Sequence, residues 1–67
     1  MGDLQLLEKI IKGSGYKIGY IAEVLGISRQ AFNKKLNGTT PFRGSEIYVL
    51  CDLLKISDVD KKKIFCY

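Results

Sequence analysis

Between Leu25 and Arg29 the chain has three residues, Gly26-Ile27-Ser28, in which to end one helix and begin another. Upstream, Ile18, Ile21, Ala22 and Leu25 repeat at i, i+3, i+4 and i+7, the stripe of an amphipathic helix from about Lys17 to Leu25. Gly26 suits a left-handed stop. Ser28 is a strong N-cap for a second helix. Ile27 and Phe32 then stand at N′ and N4, the spacing of a hydrophobic staple. This second helix runs from Arg29 to a stop at Asn37-Gly38. A link this short leaves little freedom: the two helices must cross steeply, and one face of the second must project from the body.

The rest of the chain supplies the body. Asp3 caps a helix beginning at Leu4, in which Leu4, Leu7 and Ile11 form a stripe widened by Leu6 and Ile10. Glu8 and Lys12 are an i,i+4 pair in the favourable order, and Gly13 is the expected stop. Gly19, inside the helix that ends at Leu25, costs roughly 1 kcal/mol against Ala. Residues 39–44 read as a loop whose Phe42 plugs the core. From Ser45 or a neighbour a fourth helix runs on, with Ile47, Leu50, Cys51 and Leu54 in helical step. Ser57 with Asp60 resembles a capping box, the last stretch from Val59 to Tyr67 is short, and its tail Ile64-Phe65-Cys66-Tyr67 reads as a helix end or an extended hook. Tyr16, Tyr20 and Tyr48 read as core-edge residues. The expected fold is all-α, a compact bundle of four to five helices. Residues 1–67 form one domain with a small core, and the helix-turn-helix spans about 17–37.

Charge is distributed unevenly. Glu23 and Glu46 are consecutive acids, so residues 24–45 contain none, yet they hold Arg29, Lys34, Lys35 and Arg43. Elsewhere seven cations and seven anions cancel, so the whole net charge of +4 belongs to that window. A basic stripe without acids is a footprint for a polyanion, against the plainer reading of a solvated face. At 100° per residue, Phe32 and Leu36 lie together on the core side of the second helix of the pair. Arg29, Gln30, Asn33, Lys34 and Asn37 share an arc of roughly 140° opposite them. Gln, Asn and Arg are the side chains that pair bidentately with base edges. Arg29, Gln30, Asn33 and Lys34 are therefore the candidate base contacts. Asn37, Thr39, Thr40 and Arg43 are candidate phosphate contacts, as is Ser28 at the helix start.

Other classes recede. With no His and two Cys the chain lacks the usual catalytic base and a zinc ligand set, and its seven Gly form no phosphate-binding loop. An enzyme is not expected, nor a metal or other cofactor. The apolar runs are too short to span a membrane, and no signal peptide is evident. The opening Met-Gly lacks a myristoylation motif's Ser or Thr, since Leu6 stands there. Cys51 and Cys66 read as reduced residues rather than a disulfide, and the cytoplasm is the expected compartment.

The segment Ile21-Ala22-Glu23-Val24-Leu25-Gly26-Ile27-Ser28-Arg29-Gln30-Ala31-Phe32 resembles the Cro/lambda-repressor (XRE-type) helix-turn-helix family. That family's pattern is an apolar residue, Ala, variable or apolar positions, Gly, an apolar residue, Ser, then the recognition helix. Asn37-Gly38 is similar to the pair that closes this helix in many members. Phe42-Arg43-Gly44-Ser45-Glu46-Ile47 and the late Ile64-Phe65 resemble small phage-type regulators. The resemblance covers roughly residues 4–57. It departs from the pattern at Lys17 and Ile18, where many members have Thr-Gln; Lys17 still suits a phosphate. It departs again at Lys35, often a large apolar residue in relatives, which is expected to snorkel toward the DNA backbone.

The resemblance implies a lambda-repressor-like fold and a sequence-specific double-stranded DNA-binding regulator, Cro-like and single-domain, of phage or prophage origin. With the small core, it also implies a homodimer on two half-sites of a pseudo-palindromic operator. The C-terminal tail 58–67, around Ile64, Phe65 and Tyr67, is the expected dimer surface. No small-molecule substrate is expected. Two alternatives share the fold: a protein-binding antirepressor or antitoxin-type adaptor, and an architectural excisionase-like DNA-bending protein.

Overall fold

The computed structural model describes residues 2–66. Five helices succeed one another: α1 (Leu4–Ser14), α2 (Ile18–Leu25), α3 (Arg29–Leu36), α4 (Gly44–Leu54) and α5 (Asp58–Phe65). No strand occurs among the described residues. None of these helices is long and apolar enough to cross a membrane.

Each boundary has a local cause. Asp3 accepts a hydrogen bond from the Leu6 N–H at 3.0 Å and so caps α1. The stop lies two residues beyond the expected Gly13, at Gly15, whose φ is +81°. Ser14 accounts for the difference: its hydroxyl donates to the Ile11 carbonyl and accepts the Tyr16 N–H, which carries the helix past Gly13. α2 ends in a Schellman turn. Gly26, at φ +75°, donates to the Glu23 carbonyl, and Ile27 donates to that of Ala22. Ser28 caps α3 through the Ala31 N–H at 3.0 Å. The same Schellman geometry recurs at Gly38, with the Gly38 and Thr39 N–H groups on the Lys35 and Lys34 carbonyls. Ser57 caps α5 through the Asp60 N–H.

The core gathers one or two residues from each helix: Leu7 and Ile11 of α1, Ile21 and Ala22 of α2, Phe32 and Leu36 of α3, Leu50 of α4 and Ile64 of α5. α2 packs against α3 and α4, while α1 packs against α3, α4 and α5. The Asp3 N–H donates to the Lys63 carbonyl at 2.8 Å, which ties the start of α1 to the end of α5.

The last helix decides between the two readings of the tail: α5 continues to Phe65, and Ile64 is only 1 % exposed. Phe65 is half-buried: its ring meets Phe42 edge-on at 5.5 Å, and Phe42 in turn meets Phe32 at 6.1 Å. Of the expected dimer surface, Ile64 is thus part of the subunit's own core, while Phe65 packs on that core and keeps part of its surface exposed. Tyr67, the third residue of that expected surface, lies outside the described residues. Phe42 takes the core position expected of it. Tyr48 does not, because it faces away from the core and is 75 % exposed. Cys51 and Cys66 are free thiols, and burial pushes the Cys51 thiol up despite the opposing charge of Lys61.

Gly19 gains a specific environment. A Cβ there would stand 2.7 Å from the Arg29 Nη2 atom, so the guanidinium of α3's first residue lies over the first turn of α2. That neighbour is the free end of a long side chain and can move. Gly19→Ala should therefore stabilise the fold, by about 0.5–1 kcal/mol from helix propensity. Urea denaturation reads this as a raised midpoint. A lowered one would mean that Arg29 is fixed over Gly19.

Candidate nucleic-acid interface

α3 presents two faces. Phe32 and Leu36 point into the core at 0 % and 8 % exposure, and this fixes the rotation of the helix. Arg29, Gln30, Asn33 and Lys34 are then all exposed, on the side away from it. The pairs 29/33 and 30/34 are i,i+4 neighbours and stand in two rows.

Each row lines its own groove. On one flank, the end of α1 and the start of α2 form a groove with α3, whose lining includes Lys12, Tyr16, Lys17, Arg29 and Asn33 and one acid, Glu8. On the other flank, the loop after α3 forms a groove lined by Ser28, Gln30, Lys34, Lys35, Thr40 and Arg43. The candidate base contacts are thus divided between two grooves, and candidate phosphate contacts edge both. Tyr16 and Tyr20 stack on one another at 5.3 Å near the first groove.

Not every expected phosphate contact stays available. Lys35 does not reach outward. Its ammonium is 2.9 Å from Glu46 Oε1, donates to the Pro41 carbonyl at 3.0 Å and passes 5.9 Å from the centre of the Phe42 ring. The side chain is 11 % exposed. The reason is position: Lys35 sits between the polar arc and the core, where a cation must be paired if it is to stay charged. The expected snorkelling toward the DNA backbone does not occur: the charged head ends on Glu46 and Pro41. Thr39 stays exposed but is engaged within its own turn. Its N–H and its hydroxyl both donate to Asn37 Oδ1, at 3.0 and 2.6 Å. That leaves the Asn37 amide nitrogen, rather than the Thr39 hydroxyl, as the outward donor of this turn. Ser28 uses its oxygen as the α3 cap and keeps a proton to donate. Lys17, Thr40 and Arg43 remain exposed.

Glu46 is the residue that sequence reasoning missed. It served there only as the boundary of the acid-free window. In the folded chain it is 7 % exposed and stands at N3 of α4, and its Oε1 also accepts the Arg43 N–H at 2.8 Å. The signal was present in the spacing, since an acid three residues after an N-cap position is half of a capping box.

No protein-family model matches the chain, and neither a curated protein nor a solved structure matches it.

Burial by itself would raise the Glu46 carboxyl. The Arg43 N–H, the bond to Lys35 and the charges of Lys35 and Arg43 outweigh it and hold the group below the ordinary glutamate range. A lowered folded-state value means that this contribution to stability is complete above the unfolded value of about 4.3 and is lost as pH falls through the lowered one. Thermal melts stepped from neutral pH down to about pH 3 should show falling stability below that point, with a shallower fall for Glu46→Gln. Parallel curves for the two proteins would show that Glu46 carries no acid dependence.

Proposed function

We propose that this chain is a sequence-specific double-stranded DNA-binding regulator of the Cro/lambda-repressor type, with α3 as the helix that enters the major groove. The observation that carries the reading is the outward face of α3. Arg29, Gln30, Asn33 and Lys34 are exposed together, no acid lies among them, and Phe32 and Leu36 are buried behind them. A major groove about 12 Å wide admits one helix, and Gln, Asn and Arg match the donor and acceptor patterns of adenine and guanine edges. Gln30 suits adenine, and Arg29 or Lys34 suits guanine.

The surroundings support the same reading. Lys17 stands on one flank of α3 and Arg43 on the other, where the two strands of the duplex backbone would pass. Contacts of this kind fix register without reading sequence. The three-residue turn, the stop at Gly26 and the cap at Ser28 are the features that the Cro/lambda-repressor resemblance rests on. The proposal includes a phage or prophage origin, a cytoplasmic site of action and binding as a homodimer to half-sites about one helical turn apart. Light scattering on the DNA complex tests the last point, with two chains per operator expected.

The decisive experiment is a DNA titration across salt concentrations. With Lys17, Arg29, Lys34 and Arg43 as the cations proposed to meet the DNA, the log–log slope should be about −3 to −4 per subunit. A flat slope would remove the DNA reading. Gln30→Ala should cost about 1–3 kcal/mol on the preferred sequence and relax one base position, whereas Arg43→Ala should weaken all sequences alike and reduce the slope by about 1. Equal losses for Gln30→Ala on preferred and random DNA would reassign that residue to the backbone.

A further inference from the structure

The loop from Asn37 to Arg43 runs from the end of α3 to the start of α4 and carries Thr40 and Arg43 to the rim of one groove. At its start it is held by the Thr39 and Thr40 N–H groups, which donate to the Lys34 carbonyl at 2.9 and 3.3 Å. At its far end the restraint is ionic. A single carboxylate oxygen, Glu46 Oε1, receives the Lys35 ammonium at 2.9 Å and the Arg43 N–H at 2.8 Å. The same ammonium donates to the carbonyl of Pro41 at 3.0 Å. Lys35 belongs to α3 and Glu46 to α4, so two residues of the loop are fastened to both flanking helices through one ion pair. Both side chains are nearly enclosed, at 11 % and 8 % exposure, and their charged ends are engaged with each other.

We infer that Lys35 and Glu46 are positioning residues for DNA binding: they touch no DNA, but fix the backbone of Pro41 and Arg43 so that the Arg43 guanidinium starts from the groove rim beside Gln30 and Lys34. The inference rests on the DNA reading given above. It separates two roles that sequence alone merges, since Lys35 belongs to the basic window yet acts through Arg43 instead of on a phosphate. Loss of the pair frees the loop end. Arg43 must then give up backbone freedom on binding, and affinity falls without loss of any direct contact.

The test is a double-mutant cycle on the full chain with a double-stranded DNA probe of random sequence. Circular dichroism first establishes that each variant is folded at the assay temperature. Lys35→Met keeps the length of the side chain and removes the charge. It should weaken binding by about tenfold, the scale of fixing one residue's backbone on binding, and Lys35→Arg should restore most of that loss. The distinguishing readout is coupling: Arg43→Ala should cost clearly less in the Lys35→Met background than in the unaltered protein. Fully additive losses would overturn the inference and make Lys35 an independent contact. Unchanged affinity for Lys35→Met would overturn it as well. Should Lys35→Met not fold, Glu46→Gln carries the same test, because its amide oxygen still accepts the Arg43 N–H while the ion pair is gone. Amide hydrogen exchange at Arg43 in the free protein gives a readout without DNA, and faster exchange in the variants is expected. Absence of DNA binding by the unaltered protein removes the DNA reading and this inference together. Binding by that protein with no coupling removes this inference alone.

Discussion

An eight-residue helix does not persist in water on its own, and α3 exists because Phe32 anchors it in the core. The ring is fully buried and meets Phe42, which meets Phe65 in turn. This chain of edge-on contacts joins the middle of α3 to the loop after it and to the last helix. Leu36, one turn on, fixes the rotation of α3 about its axis. Everything proposed for the outer face depends on that anchoring. Arg29, Gln30, Asn33 and Lys34 share a surface only because two apolar residues on the opposite side hold the helix still.

The same geometry creates a difficulty at Lys35, which falls at the edge of the buried face. An unpaired cation there would lose hydration with nothing in return. Glu46 supplies the partner from α4, and because its carboxylate also takes the Arg43 N–H, the remedy has a second effect on the loop. A charge that looks like part of a nucleic-acid footprint in the sequence is therefore internal to the fold. The cations left facing outward are fewer than the acid-free window suggests, and they stand on both sides of α3 instead of in one stripe.

Much of the fold was legible in the residues. The stops at Gly26 and Gly38 and the caps at Asp3, Ser28 and Ser57 are short-range rules, and each stands where its residue type predicts. Local rules failed where a competing local bond or a distant partner decides. Gly13 looked like a helix stop until the Ser14 hydroxyl bridged past it. The apolar tail looked free because nothing in its own sequence says that α1 and Phe42 will cover Ile64 and Phe65. Lys35 looked outward because its partner is eleven residues away, across a loop whose path the sequence does not specify. Residues that bear on DNA through exposure were readable from helical phase. Those that act through another side chain were not.

The outer face of α3 is proposed to read base sequence, rather than merely to attract a polyanion. Selection of bound duplexes from a random DNA pool tests this most directly. The predicted result is enrichment of a short motif repeated at a spacing of about one helical turn, with the preference at one position lost when Gln30 is replaced by Ala. Salt-sensitive binding with no enriched sequence would contradict it, since it would leave a basic surface that holds DNA without reading it.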